Sequence, residues 1–425
     1  MNKIILLLFS VLCLMGRAQG NSEWKMCVVS DVHLMAPELL KSDGKAFQDY
    51  LSSDRKLLGE SVEIMDSITN RLLAEHPKVL LVTGDLTKDG ERVSHQYLVD
   101  HFLSKLRRSG VRVFVVPGNH DVNNPHAVVF DGDKTRRTTT VSPSDFASIY
   151  ADYGYGQALA RDAVSLSYVA QLAPGLRLIA IDACKYEEND FDKNICVTGG
   201  RIKPATQRFI CEQADAAKKA GCKVVVMMHH GVVPHFSAQP VVLPEYLVDD
   251  YPAVGRMLRD CGADVVFTGH FHSQDIARDS TVTDVETGSL VSYPHPYRVI
   301  EVSGDKMSVT THNLRSIKSL AAHGEDLWQK SQKFARLSVA KMAEGYLPQN
   351  TPPAMRDNIV KVVSDAYLYH LAGDERPSED FVKENRRLAG QVSAVAPKMA
   401  SMLDIIVTSL STDQAPSDNQ AVINY

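Results

Sequence analysis

Short, continuously apolar runs alternate with helical stretches over the first three quarters of the chain. Five of these runs are rich in β-branched residues and are bounded by polar residues or glycine: 24–29, 79–82, 111–116, 224–228 and 264–267. Runs of this length that are separated by helices are typical of buried strands in an α/β sheet. The pattern therefore predicts a layered α/β fold.

Each of the five runs stops at side chains that can bind metals. The segments that follow are Ser30-Asp31-Val32-His33, Thr83-Gly84-Asp85, Gly118-Asn119-His120-Asp121, His229-His230-Gly231 and Gly269-His270-Phe271-His272. In open α/β sheets the carboxyl ends of the strands border the crevice in which ligands bind. We therefore expect these side chains to meet at one site.

The residue types at these positions suit divalent or trivalent first-row metals, and two such ions need about seven protein ligands. The chain supplies Asp31, His33, Asp85, Asn119, His229, His270 and His272. Two pairs in this set are spaced by two residues, which predicts that both side chains of a pair point the same way from an extended segment. A single Asp-x-His or Gly-Asp usually marks only a solvated turn, so the prediction of a dinuclear centre depends on all five blocks occurring in order.

The five blocks resemble the calcineurin-like metallophosphoesterases, whose ordered pattern is D-x-H, G-D, G-N-H-D/E, H and G-H-x-H. All blocks are intact, and the resemblance spans roughly residues 24 to 312. It implies a four-layer α/β/β/α sandwich, in which two mixed sheets lie back to back with helices outside. A C-terminal helical region is expected to follow this sandwich.

The resemblance also implies a role for each candidate ligand. Asp31, His33 and His272 would hold one metal ion, Asn119, His229 and His270 would hold the other, and Asp85 would bridge the two. His229 rather than His230 is assigned as the metal ligand, because it directly continues the strand. Purple acid phosphatases carry a tyrosine where this chain has Lys88, so a ferric tyrosinate centre is not expected. Mn, Zn and Fe are the candidate metals.

By the same resemblance, a hydroxide that bridges the two metal ions would attack the phosphorus of a phosphate ester. His120 would face the substrate, where it could protonate the leaving alkoxide or stabilise charge in the transition state. Asp121 has two interpretations: it orients His120 by accepting its second N–H, or it caps the following turn.

Residues that choose the substrate are expected in the long connections between strands. Arg136 and Arg137 could bind a second phosphate or a carboxylate, although an adjacent arginine pair is more often a solvated surface. The other candidates are His230, Arg201 and His295. His295 lies in a proline-rich segment that would restrict the backbone.

After about residue 312 the apolar residues recur at helical spacing, with helices predicted over 355–371 and 378–410. The predicted organisation is a signal peptide over 1–20, a metallophosphoesterase domain over 21–312, a helical region over 313–410 and a polar tail over 411–425. The helical region could pack on the sandwich, dimerise or cover the site. The sequence does not decide between these roles, so self-association of the chain also stays open.

The first twenty residues have the anatomy of a signal peptide: Lys3, an apolar stretch to Met15, and then small and polar residues. They predict export to the periplasm or the medium, with cleavage near residues 18 to 21. A buried N-terminal helix is the alternative. Lipid attachment at Cys13 is less favoured, because Leu12 stands where a lipobox carries a small residue. No later stretch has the roughly 20 apolar residues that a transmembrane helix needs.

Composition narrows the function further. A formal net charge of −5 argues against binding to a nucleic-acid polymer, which needs a positive surface. The chain has no C-x-x-C pair, so a thiolate zinc site is not expected. Six cysteines remain after cleavage, and Cys184 with Cys196 is the predicted disulfide.

The predicted substrate is a small-molecule or lipid-head-group phosphate ester. A phosphodiester is favoured, on the weak ground of the helical region. The alternatives are a phosphomonoesterase of nucleotidase or acid-phosphatase type, and a member of the fold that binds metal without turnover.

Overall fold

Two mixed β-sheets form the centre of the protein in this computed structural model, which describes residues 23–394 and 396–425. Among the described residues the first sheet has the strand order β16-β15-β14-β1-β3-β4. Its strands are β1 (Trp24–Val29), β3 (Val79–Val82), β4 (Arg112–Val115), β14 (Pro296–Ser303), β15 (Lys306–Asn313) and β16 (Gln420–Asn424). Strands β1, β3 and β4 are parallel neighbours.

The second sheet has the order β12-β13-β11-β10-β9-β8-β7. Its strands are β7 (Ala160–Arg161), β8 (Tyr168–Ala173), β9 (Leu176–Ile181), β10 (Lys223–Met228), β11 (Ala263–Thr268), β12 (Asp275–Arg278) and β13 (Thr283–Glu286). A small separate sheet is built from β2 (Leu40–Ser42), β5 (Val128–Asp131) and β6 (Lys134–Arg137).

Helices connect these strands and continue after them. They are α1 (Lys45–Ser53), α2 (Ser61–Ala74), α3 (Arg92–Leu98), α4 (Ser104–Arg108), α5 (Pro143–Ile149), α6 (Pro204–Lys219), α7 (Gln239–Val242), α8 (Tyr251–Asp260), α9 (Lys318–Ala322), α10 (Leu327–Tyr346), α11 (Pro353–Ala372), α12 (Glu379–Ser393) and α13 (Pro397–Leu410). A π-helical segment, Val99–Leu103, joins α3 to α4.

The alternation of side chains along β10 shows how the layers pack. Val225 and Met227 belong to the core between the two sheets, together with residues of β1 and β3. Val224 and Val226 face the opposite way and pack with apolar residues of α6 and α8. Because successive side chains of a strand point to opposite faces, a strand buried on both sides is apolar throughout. The predicted four-layer sandwich is confirmed.

The helices after the sandwich have a core of their own. Apolar residues of α10 to α13 form this core, and Phe236 and Phe271 of the sandwich pack into it. Pro397 begins α13, since proline cannot donate a helical hydrogen bond but fits the first turn. The predicted helical stretch 378–410 is therefore divided into α12 and α13. None of the described helices has the length and apolar content that a bilayer-spanning segment needs.

Two features differ from the sequence analysis. The segment expected to be a polar tail contains β16, which pairs antiparallel with β15 and buries Ile423. Cys184 and Cys196, predicted to form a disulfide, are free thiols, as are the other cysteines of the described residues. Their sulfurs contact different main-chain carbonyls, those of Pro117 and Asn119. The predicted signal peptide and Cys13 lie outside the described residues.

Candidate metal centre

The carboxyl ends of strands from both sheets meet at one place. Parallel pairing aligns β1, β3 and β4 in the first sheet and β10 with β11 in the second, so the residues after each strand lie on the same edge. All seven side chains predicted as metal ligands are buried there. Two overlapping groups of donor atoms result.

The first group contains Asp31, His33, Asp85 and His272, whose donor atoms all lie within 4.8 Å of one another. The Nε2 atom of His272 lies 3.1 Å from Asp31 Oδ1 and 3.1 Å from His33 Nε2. The Nε2 atom of His33 is also 3.6 Å from Asp85 Oδ2. Four donor atoms therefore surround one point.

The second group contains Asp85, His229 and His270. His229 Nε2 lies 3.4 Å from Asp85 Oδ2 and 3.2 Å from the amide oxygen of Asn119. Asp85 belongs to both groups, in the position from which one carboxylate can bind two ions. Asn119 adds an oxygen donor at the second position.

The donor set fits two metal ions. Two buried donor atoms, Asp31 Oδ1 and His270 Nε2, have no hydrogen-bond partner in the protein. Burial holds the pKa of His33, His270 and His272 well below the ordinary value, so these imidazoles are neutral and keep a lone pair. Neutral histidine with carboxylate and amide oxygen suits Zn, Mn or Fe.

The electrostatics at His229 differ from those at the other three histidines. Burial lowers its pKa, but the charge of Asp85 outweighs this effect and raises the pKa to about 9. Without a cation the imidazole would carry a proton beside the Asp85 carboxylate. Metal binding at this position therefore competes with protonation.

Backbone conformation, rather than strand alternation, makes the paired ligands converge. Asp31 and His33 have φ values of 50° and 40°, and His270 and His272 have values of 79° and 74°. Asp85 also lies in the left-handed region, at 49°. Non-glycine residues seldom adopt this region, and they cluster at functional sites when they do. The prediction that the two pairs lie on extended segments is therefore wrong, although the side chains of both pairs do reach the same site.

Glycine allows the loops to approach the ligands closely. A Cβ atom on Gly84, whose φ is 103°, would lie 2.5 Å from Nδ1 of His229. One on Gly118 would overlap the carboxylate of Asp85. Both positions therefore exclude every larger residue as long as the ligands keep their places.

His120 lies beside these groups without being part of either. Its Nε2 atom is 3.9 Å from Asp85 Oδ2, and its ring lies edge-on to that of His33 at 4.9 Å between centroids. Its side chain is 23% exposed, whereas the candidate ligands are enclosed. The Nδ1–H donates to Asp89 Oδ1 over 2.8 Å. Burial and Lys56 oppose protonation, yet Asp85 and Asp89 raise the pKa of His120.

Asp121 does not orient His120, and Asp89 takes that position. The Asp121 carboxylate accepts hydrogen bonds from the main-chain N–H groups of Leu86, Thr87 and Gly118, over 2.8 to 3.0 Å. It thereby joins the loop after β3 to the loop after β4. Burial, together with the nearby Asp85 charge, raises the pKa of Asp121 to about 7.

Sequence reasoning missed three charged residues of the centre, Asp54, Arg55 and Lys56. Arg55 Nε donates to His272 Nδ1 over 3.4 Å, and its guanidinium also contacts Phe271 O and the hydroxyl of Tyr367. The ammonium of Lys56 lies 3.4 Å from Asp54 and is close enough to lower the pKa of His33. In the sequence this run resembles a solvated turn after α1.

The two histidines predicted to contact the substrate lie in different surroundings. His230 is brought to the centre: its ring lies 4.4 Å from that of His270, and its Nε2–H donates to Thr198 O over 2.9 Å. His295 is buried and bonded to Leu290 O.

The three arginine candidates contact other parts of the protein. Arg136 and Arg137 lie on the exposed strand β6, where Arg136 is 3.7 Å from Asp131 and Arg137 contacts Phe191 O. Arg201 pairs with Glu188. None of their contacts among the described residues reaches the two metal groups.

A family model and several solved structures are similar to this chain. No curated protein matches the chain. Similar solved structures include a dimetal phosphatase from Danio rerio, at 16% identity over 68% of this chain and 96% of that one, with a TM-score of 0.49. A purple acid phosphatase from yellow lupin matches at 12% identity over 69% of this chain and 52% of that one, with a TM-score of 0.43.

A putative 5'-nucleotidase from Staphylococcus aureus matches at 15% identity over 73% of this chain and 58% of that one, with a TM-score of 0.40. The family model for calcineurin-like phosphoesterases matches residues 25–274, which is more than half of the chain and contains all five sequence blocks. This chain belongs to the calcineurin-like phosphoesterase family.

Proposed function

We propose that this protein is a dinuclear-metal phosphodiesterase. The observation that carries the proposal is the position of Asp85, whose carboxylate belongs to two adjacent groups of metal-binding side chains. The partly exposed His120 stands beside that carboxylate. Two ions held there would supply Lewis acidity and would make water a usable nucleophile near neutral pH.

The chain's own residues then have separate tasks. Asp31, His33 and His272 would hold one ion, and His229, His270 and Asn119 would hold the other. Asp89 fixes the His120 ring through Nδ1, which leaves Nε2 facing the site. From Nε2 a proton passes to the departing alkoxide, a poor leaving group that needs protonation.

The proposed preference for a diester is supported by the way in which the nearby cations are paired. A phosphomonoester carries close to two negative charges at pH 7, whereas a diester carries one. Lys56 is paired with Asp54, and Arg55 is bonded to Phe271 O and Tyr367. Both cations are therefore already engaged, and this arrangement supports the less charged ester.

The second candidate is a phosphomonoesterase. It is favoured by the nearness of Lys56 to the centre rather than by its pairing with Asp54. Its ammonium opposes protonation of both His33 and His120, so it lies within electrostatic range of the substrate position. If Lys56 moved from Asp54 to the substrate, it would neutralise the additional charge of a monoester.

The test compares bis-p-nitrophenyl phosphate with p-nitrophenyl phosphate, using protein loaded in turn with Mn²⁺, Zn²⁺ and Fe²⁺. We expect a higher kcat/KM for the diester. Asp54→Asn should release Lys56 and move the ratio toward the monoester, and Asp66→Asn on the surface of α2 is the matched control. A preference of the unaltered protein for the monoester would reverse the assignment. Turnover of neither ester with both metal positions filled would identify a non-catalytic member of the fold.

A further inference from the structure

A second cluster of metal-binding side chains lies beneath the C-terminal helices, apart from the centre described above. Asp275 begins β12, His370 is in the last turn of α11, and Glu375 follows that helix. All three residues are buried, and their donor atoms lie within 4.8 Å of one another. These residues have no part in the proposed phosphoester chemistry.

Two of the three side chains have a donor atom without a partner. Glu375 Oε1 is 2.7 Å from His370 Nδ1, which in turn is 3.8 Å from Asp275 Oδ2. The other oxygen of Glu375 and the other ring nitrogen of His370 are buried and have no hydrogen-bond partner in the protein. Buried polar atoms are nearly always satisfied by protein, ordered water or an ion, so these two atoms call for a partner that the protein itself does not supply.

The surroundings of this cluster are strongly acidic. Besides Asp275 and Glu375, the carboxyl groups of Asp284, Glu286 and Asp418 are buried there. Burial and the charge of Asp275 raise the pKa of Asp418 to about 9, which reflects the same accumulation of negative charge.

The cations of the region do not balance these acids. Arg298 donates to the main-chain carbonyls of Asp275, Glu286 and Asp418. His235 lies 2.7 Å from Asp275 Oδ1 and 3.3 Å from Glu286 Oε2. Asp418, whose pKa is about 9, is protonated at neutral pH, so with His235 and His370 both protonated three cations face the four other buried carboxyl groups. Uncompensated buried charge is strongly unfavourable, and a bound cation removes that cost.

We propose that Asp275, His370 and Glu375 bind a divalent transition-metal ion. This structural site is separate from the two metal positions of the candidate centre. One imidazole and two carboxylates form a donor set that suits zinc, with bonds of about 2.1 Å. Such an ion would tie the end of α11 to β12, which begins three residues after the candidate ligand His272. It would therefore hold the C-terminal helices on the sandwich.

The test counts metal ions in the full-length protein after dialysis against Zn²⁺, by inductively coupled plasma mass spectrometry. We expect three ions per chain. The double variant Asp31→Asn, Asp85→Asn should keep one ion, and Glu375→Gln should keep two. Glu379→Gln, an exposed position at the start of α12, is the matched control and should keep three.

Thermal unfolding gives a second readout. Glu375→Gln should melt at a lower temperature than Glu379→Gln in the presence of Zn²⁺, and the gap should close in chelator. Two ions in the unaltered protein, or three in Glu375→Gln, would overturn the proposal. If Glu375→Gln does not fold, anomalous diffraction at the zinc edge on the unaltered protein decides. A peak between the three side chains supports the site, and its absence after Zn²⁺ loading refutes it.

Discussion

At the scale of single residues, the contact between His120 and Asp89 decides which proton is available for chemistry. Asp89 lies four residues after Asp85 and accepts the Nδ1–H of His120. Its other oxygen contacts Lys88, which Glu91 also binds over 2.9 Å. Replacement of Asp89 would therefore remove one charge and leave the buried lysine paired.

We expect Asp89→Asn to lower kcat by about 10- to 100-fold with unchanged metal content, which is the usual cost of removing a carboxylate that orients a histidine around a metal centre. The loss should be largest for aryl esters with poor leaving groups. A leaving-group series with parallel metal analysis measures it, and Asp66→Asn is the control. Loss of metal in Asp89→Asn would show that the carboxylate supports the centre rather than the proton donor.

Replacing Asp85 tests the ligand shared by the two groups. Asp85→Asn should abolish metal-dependent turnover to below about one thousandth, because each ion loses a charged donor. Metal content should fall together with activity, whereas His120→Ala should keep the metal and lose turnover of poor leaving groups. Loss of metal in His120→Ala would contradict the separate roles given to these residues.

The sequence predicted the candidate ligands but not the residues that support them. Asp31 or His270 could be found because residue type and position after a strand are local properties. The partner of His120 could not, since Asp121 is its neighbour in sequence, whereas Asp89 lies 31 residues away and is brought to Nδ1 only by the path of the loop after β3. Arg55 reaches His272 from 217 residues away, and no local pattern contains that contact.

At the scale of elements, the turns after the strands are as constrained as the ligands. In Gly118→Ala the new methyl group would displace the Asp85 carboxylate. We expect loss of at least one metal ion and about 100-fold lower activity, which is the usual effect of moving a reacting group by about 1 Å. Gly59→Ala is the matched control, because open space surrounds that position. Full metal content in Gly118→Ala would mean that the loop can move aside.

Replacement of a glycine inside a helix is expected to stabilise the protein rather than disturb it. Gly390 lies inside α12, and a Cβ atom there would meet no other atom within 4 Å. Gly390→Ala should therefore raise the free energy of unfolding by about 0.5–1 kcal/mol, since alanine has the higher helix propensity. Urea denaturation followed by circular dichroism measures the change. A lower stability would show that the helix needs the glycine for a contact.

The five strands that carry the site could be predicted to within one residue at each end, because they are apolar on both faces. Strand β16 could not be predicted from the sequence. Only Ile423 of its five residues is fully buried, and the strand forms because β15 offers an edge to it. The break between α12 and α13 depends on Pro397 and was visible in the sequence, but the pattern of apolar residues runs across it.

At the scale of the whole molecule, the metal ions would couple distant parts of the chain. The candidate ligands extend from Asp31 to His272, so both sheets must be assembled before a metal can bind. Ligands that bind only the folded state stabilise it by mass action. We expect chelation to abolish turnover and lower the melting temperature by several degrees, and Zn²⁺ or Mn²⁺ to restore both. An unchanged melting curve and activity after verified metal removal would refute the two-metal account.

The position of β16 has a consequence for aggregation. Strand β16 covers β15, which would otherwise be the edge of the sheet that contains β1. Whenever β16 is detached, β15 presents unpaired main-chain groups, which invite association with other chains. Local unfolding of this one strand would therefore be enough to promote aggregation.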